Sequence, residues 1–179
     1  HPGWPDDKST LYPVHEDLLK AGKIHAVEVL NYMEYYPVAF DWCNQYGIAP
    51  MANTDIHDLI SGDYGWGGGK MRPMTLVFAT ERSEKGIKEA LFARRTAALF
   101  DGKLMGKAEY LMKLVQSSLK IRRINDKTIE VTNISDIPYE MTNGGKLYLF
   151  PCRKTVRIGI PKEGALVFEN CFVGMKQKL

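Results

Sequence analysis

Asn53-Thr54-Asp55-Ile56-His57-Asp58 sets a carboxylate and an imidazole two residues apart. In extended backbone, residues i and i+2 project to the same side, so Asp55 and His57 are expected to converge. A carboxylate oxygen beside an imidazole nitrogen suits a divalent metal such as zinc, manganese or iron. An isolated Asp-x-His also fits a turn aspartate next to a surface histidine, and on spacing alone both readings stand. His1-Pro2-Gly3 carries another imidazole, in a turn that Pro2 and Gly3 keep out of a helix. Taken singly, such a histidine equally fits a chain end without a ligand role.

Elements that would position these groups can be read from the flanking residues. Ile24–Asn31 is a β-rich run of the kind found in buried parallel strands, and 38–46 is helical with Gly47 as its stop. Ile48–Asn53 is a second short strand. Strand, helix and strand in about 30 residues make a βαβ unit with a parallel sheet. Asp55 and His57 then follow the C-terminal end of a strand, where ligands bind in parallel α/β folds.

A short helix over 14–21 precedes this unit. After it comes a glycine-rich loop over 60–72, a strand over 74–80, and a helix capped by Ser83. That helix is expected to bury Ile87, Ala90, Leu91 and Ala97 or Ala98, and 104–119 reads as one more helix. From Ile121 the pattern changes to short β runs: 121–124, 128–132, 146–150, 155–160 and 165–173. The expected organisation is an α/β part over 1–119 and a small antiparallel β-sandwich-like domain over 120–179.

Composition narrows the function classes. The 179 residues are 45% apolar and 25% charged, which excludes a disordered chain. Three cysteines, widely spaced, exclude a disulfide scaffold or zinc-finger spacing. No apolar run approaches the ~18 residues of a membrane span, and the first residues lack the pattern of a signal peptide. The expectation is a soluble protein with no membrane partner. Residues 1–119 carry 13 Lys/Arg against 15 Asp/Glu, and residues 120–179 carry 11 against 6. Because the basic part has no Lys/Arg run longer than two, a solvated sheet face is expected there rather than a nucleic-acid surface.

Other groups could contact a substrate. Lys70 and Arg72 suit a phosphate in a rim loop, although the loop lacks the glycine and hydroxyl spacing of a phosphate-binding P-loop. Asn31 ends the first strand and could orient a ligand; Glu28 lines the same edge. His25 reads as half-buried and structural, His15 as a helix-surface residue. Tyr32, Tyr35, Tyr36 and Trp66 could wall a pocket or fill a core. Cys43 has no adjacent histidine to activate it as a nucleophile.

In their order, His1-Pro2-Gly3, Val27-Glu28-Val29-Leu30-Asn31, the helix and Asn53-Thr54-Asp55-Ile56-His57 resemble the closing half of the polymerase-and-histidinol-phosphatase (PHP) domain. Arg72-Pro-Met-Thr-Leu-Val-Phe-Ala79 and the helix after it are similar to bacterial PHP phosphoesterases that carry a C-terminal β extension. The likeness covers roughly residues 1–115 and is nearer to the phosphodiesterases than to histidinol-phosphate phosphatases. It implies the C-terminal part of a distorted, seven-stranded (β/α) barrel and hydrolysis of phosphomonoesters or phosphodiesters. Two or three divalent ions (Mn, Zn or Fe) would serve the complete protein, with His1, Asp55 and His57 among their ligands. The family's opening His-x-His is missing from the four histidines. The chain is therefore expected to be a C-terminal portion, partnered by the N-terminal half of the same barrel, in a bacterial cytoplasm or periplasm. A reading from another class is a noncatalytic module whose β-rich third binds a partner.

Overall fold

The computed structural model describes residues 9–65 and 71–179. Helix α1 (Pro13–Lys20) leads into strand β1 (Ala26–Asn31), the two-residue strand β2 (Glu34–Tyr35), helix α2 (Pro37–Tyr46) and strand β3 (Ala49–Asn53). Pro37 occupies the first turn of α2, where its missing N–H costs nothing. Gly47 ends the helix at φ 62°, a left-handed conformation that glycine adopts without strain. Ala39, Phe40 and Cys43, on one side of α2, are buried against β1 and β3. These two strands pair in parallel, from Ala26 opposite Ala49 to Asn31 opposite Asn53. The βαβ unit is present, with β2 added as an antiparallel flap on β1.

Helix α3 (Ile60–Tyr64) follows, then strand β4 (Met74–Val77) and helix α4 (Glu84–Phe92). The Ser83 hydroxyl accepts the Gly86 N–H at 3.0 Å, the cap expected of a serine there. Only glycine fits at position 86, because a Cβ would sit 2.7 Å from the Glu81 carbonyl oxygen. Contrary to the expected helix face, α4 stops at Phe92, Ile87 is exposed, and Ala97 and Ala98 lie in strand β5 (Thr96–Phe100).

Residues 104–119 are likewise not one helix. Strand β6 (Lys103–Gly106) precedes helix α5 (Ala108–Ser118). Asp101-Gly102 joins β5 to β6 with φ values of 48° and 73°, the left-handed pair of a two-residue hairpin turn. That pairing commits the start of the run to a sheet.

The remainder consists of β7 (Leu119–Arg123), β8 (Thr128–Asn133), β9 (Tyr139–Asn143), β10 (Lys146–Phe150), β11 (Thr155–Gly159), β12 (Leu166–Phe168) and β13 (Cys171–Phe172). Strands β7, β8 and β11 form one antiparallel sheet, and β9, β10 and β12 another. The run over 165–173 divides between sheets: β12 joins β9, whereas β13 lies parallel to β6. Asn170 lies between β12 and β13. Its amide nitrogen donates to the Gly102 and Pro138 carbonyls at 2.7 and 2.8 Å, and its oxygen accepts the Glu140 N–H. The described strands make four open sheets and do not close into a barrel.

Two apolar clusters form the interior. One gathers Val29, Leu30, Phe40, Ile48, Ala52, Ala98 and Met105. The other runs from Ala97, Leu99 and Leu111 to Val131, Tyr139, Phe150 and Cys171. No described helix is long and apolar enough to cross a membrane.

Asn133 is fully buried and donates to the Ile137 and Phe150 carbonyls at 2.8 and 2.9 Å, while its oxygen accepts from Ser135. Asn133→Ala removes a donor from each of those carbonyls and the acceptor of Ser135. It is expected to lower unfolding stability by about 2–4 kcal/mol in urea melts, whereas Arg122→Ala at a surface ion pair should shift the urea midpoint far less. Burial pushes the Cys43 and Cys171 thiols up to about 12. At pH 8 both stay protonated, so a thiol reagent is expected to label the half-exposed Cys152 first and the other two only after denaturation.

Candidate functional site

Strands β1 and β3 end side by side, and their last residues, Asn31 and Asn53, are register partners. A bulge in β1 shifts the register between Glu28 and Leu30, so Val29 is the additional residue. Glu28 and Asn31, three apart, are thereby brought together: the Asn31 amide donates to Glu28 Oε2 at 3.0 Å. Glu28 Oε1 accepts the Asn53 amide at 2.5 Å. One half-buried carboxylate thus ties the C-terminal ends of both parallel strands, and it takes up one of the two Asn31 amide hydrogens.

Just past each strand end the backbone turns left-handed at a residue with a side chain, Tyr32 at φ 54° and Asp55 at φ 49°. Such positions cost of order 1–3 kcal/mol and concentrate at functional sites. The Tyr32 N–H donates to the Asn53 carbonyl at 3.1 Å. Tyr64, buried on α3, donates its hydroxyl to the Thr54 carbonyl at 3.1 Å, and the Tyr32 ring meets it edge-on with centroids 6.1 Å apart. Burial, followed by the neighbouring Tyr32, Asp63 and Asp55, raises the Tyr64 pKa. At neutral pH its hydroxyl is therefore a donor that holds the turn bearing Asp55.

Asp55 Oδ1 and His57 Nε2 lie 3.6 Å apart at this rim, with side chains 47% and 87% exposed. They converge as expected, yet not through extended backbone: Asp55 is left-handed and β3 has already ended. The turn supplies the approach that alternation was expected to supply. One anionic oxygen and one imidazole nitrogen, both open to solvent, fit one edge of a divalent-cation site. Among the described residues no group of three or more His, Cys, Asp or Glu could enclose such an ion.

Arg72 belongs to the same edge of the sheet. The Thr75 hydroxyl bonds the Ala52 N–H and carbonyl at 2.9 and 3.0 Å. At its other end β4 places Val77 opposite Thr96, whose hydroxyl reaches the Pro50 carbonyl. Strand β4 therefore runs against β3, and Arg72, which precedes β4, sits at the end where β3 finishes. It is exposed and makes no hydrogen bond or ion pair with the described residues.

Other candidates are elsewhere. His25 stands at the opposite end of β1, its ring edge-on to Phe92. His15 accepts the Tyr12 N–H at the start of α1. Cys43 and Tyr36 are core residues. His1, Trp66 and Lys70 lie outside the described residues. Tyr64 was not singled out from sequence, since a tyrosine in a five-residue helix next to glycines carries no local signal of its hydrogen bond to Thr54.

Over its whole length the chain superposes, with a TM-score of 0.91 and 29% identity, on the crystal structure of a two-domain protein containing a predicted PHP-like metal-dependent phosphoesterase from Bacteroides vulgatus ATCC 8482. The chain spans 59% of that neighbour's length. No protein-family model and no curated protein matches the sequence.

The Glu28 carboxylate generates a test of the rim. Glu28→Ala frees both asparagine amides and is expected to raise the exchange rate of the Tyr32 amide roughly tenfold, the equivalent of one ~1.4 kcal/mol contact. Amides in β8 and β9 should be unaffected.

Proposed function

We propose that this chain is the C-terminal portion of a PHP-type, metal-dependent phosphoesterase that hydrolyses phosphodiesters or phosphomonoesters. The observation that carries the reading is the Asp55–His57 pair, 3.6 Å apart at the rim where parallel strands β1 and β3 end. The full-length likeness to a predicted PHP-like phosphoesterase supports it. In this reading the remaining strands of a distorted barrel, and the other ligands, come from the rest of the protein.

Asp55 and His57 would hold one edge of a cluster of two or three divalent ions (Mn, Zn or Fe), with His1 as a further ligand. Such ions supply an ionised water near neutral pH and positive charge against the phosphoryl oxygens. The chain's own residues position and bind. Tyr64 fixes the Thr54 carbonyl and with it the turn that aims Asp55. Glu28 keeps the two strand ends in register through Asn31 and Asn53. Asn31, at the same rim, would orient the substrate through the amide hydrogen that Glu28 leaves unused. Arg72 carries a planar guanidinium matched to two phosphoryl oxygens at once, and Lys70 would add a point charge on the same loop. Residues 120–179 form the β-rich extension of the enzyme.

The test uses the longer protein that contains this chain. Loaded with Mn, the wild type is expected to hydrolyse bis(p-nitrophenyl) phosphate. Asp55→Asn and His57→Ala should each lower metal content and reduce turnover at least ~100-fold, about 2.7 kcal/mol of barrier. Arg72→Ala should leave metal content unchanged and raise KM. A wild type that neither takes up metal nor cleaves phosphate esters would leave the noncatalytic binding module as the function.

A further inference from the structure

Strand β10 is an edge of the β9–β10–β12 sheet, and the backbone of its middle residues has no partner on that side among the described residues. Gly144 and Gly145 are left-handed, at φ 54° and 80°, and make a two-residue turn closed by the hydrogen-bonded pair Asn143 and Lys146. Bonded and non-bonded pairs alternate along an antiparallel ladder, so Tyr148 and Phe150 also bond to β9. Leu147 and Leu149 therefore turn their N–H and C=O groups outward. The other side of β9 agrees with this phase: the carbonyl of Glu140, register partner of Leu149, accepts the Glu169 N–H. The Asn133 amide reaches β10 only at its last residue, Phe150. The same two leucines are 51% and 55% exposed, whereas Tyr148 and Phe150 are buried.

Other edges nearby are closed or guarded. The far edge of this sheet is covered by the chain itself, since the Phe168 N–H donates to the Leu179 carbonyl at 2.7 Å. The outer strands of the neighbouring sheet carry basic residues, Lys120, Arg122 and Arg123 on β7 and Arg157 on β11. Such side chains deter pairing between copies. Leu147-Tyr148-Leu149 bears no charge, and Lys146 is drawn to the other face, its ammonium 5.0 Å from the centre of the Tyr148 ring. The edge is its own complement. Two copies set antiparallel about Tyr148 place Leu147 of one opposite Leu149 of the other, with each N–H facing a C=O. Lys146 then stands opposite Phe150, so no like charges meet. The leucines of both copies form one apolar row on the outer face, continued by Thr142 and Val167. Water can satisfy the backbone of such an edge but cannot cover its leucines; a two-fold pairing does both.

We propose that the protein forms a two-fold dimer through β10, which joins the β9–β10–β12 sheets of two copies into one continuous sheet. The interface uses none of the residues assigned to the phosphoesterase rim and is independent of that reading.

Sedimentation equilibrium of the 179-residue chain, over a dilution series from submillimolar to submicromolar protein, tests it. A contact this short predicts a dissociation constant in the micromolar range. Hydrogen exchange at the Leu147 and Leu149 amides should slow as protein concentration rises, while the Tyr148 amide, already bonded to β9, stays constant. Leu147→Lys/Leu149→Lys changes two exposed positions and sets like charges opposite each other across the two-fold axis. It should weaken the dimer at least about tenfold. Leu147→Glu/Leu149→Lys sets opposite charges there and should recover most of that loss. Both variants place the new lysine at 149 beside Glu140 of the same copy, so each keeps β9 and β10 paired. A chain that stays monomeric throughout the series, a double-lysine variant that dimerises as the wild type does, or a charge-swapped variant as weak as the double-lysine one would overturn the proposal.

Discussion

The β5–β6 hairpin is buried on both faces, and the rest of the structure is arranged around that constraint. Its side chains alternate between two dry interiors. Ala97, Leu99 and Leu104 enter one apolar cluster; Ala98 and Met105 enter the other. A one-residue slip would exchange the two sets, so the register is strongly specified. Space is equally tight. A Cβ at Gly106 would meet the Ala97 Cβ at 2.9 Å, which is why small residues face each other there. Polar groups lock the hairpin from outside: Thr96 bonds the Pro50 carbonyl of β3, and Asn170 bonds the Gly102 carbonyl at the turn. Through these contacts the βαβ unit and the two C-terminal sheets share one central element.

The rim that carries Asp55 and His57 is built by a different device. Backbone pairing brings Asn31 beside Asn53, and a bulge turns Glu28 to the same side, where it receives both amides. That network leaves the strand ends rigid and the next residues free to turn. The left-handed conformations at Tyr32 and Asp55 follow immediately. The left-handed backbone at Asp55 fixes the direction in which its side chain leaves the strand end.

Several basic residues of 120–179 have their counter-charges within the same segment, while its net excess stays in solvent. Glu130 lies between Arg122 and Arg157 on the outer face of the β7–β8–β11 sheet, and their hydrogen bonds hold its carboxyl below the usual carboxylate range. Asp136 is held low in the same way by Arg153. Cross-strand pairs of this kind make a solvated face with its own counter-charges, consistent with the absence of any long Lys/Arg run.

Local rules account for what the sequence determined by itself. Pro37 and Gly47 delimit α2, Ser83 caps α4, and the short β runs after Ile121 become β7, β8, β10 and β11. The two helices depend on φ restrictions or on bonds within a few residues, and the β runs on their β-branched and aromatic composition. The convergence of Asp55 and His57 was legible from their spacing, although a left-handed turn rather than extended backbone produces it. Tertiary structure decided the rest. Ala97-Ala98-Leu99 has as much helical as strand propensity, and only burial on two faces together with the Asp101-Gly102 turn makes it a strand. The run over 165–173 is continuous in composition and is divided because Asn170 is held by carbonyls as far away as Gly102 and Pro138. The Tyr64 bond to Thr54 and the Glu28 bond to Asn53 share the same origin. Their partners lie on other elements, and no period or spacing along the chain encodes a contact that exists only once the sheets have packed.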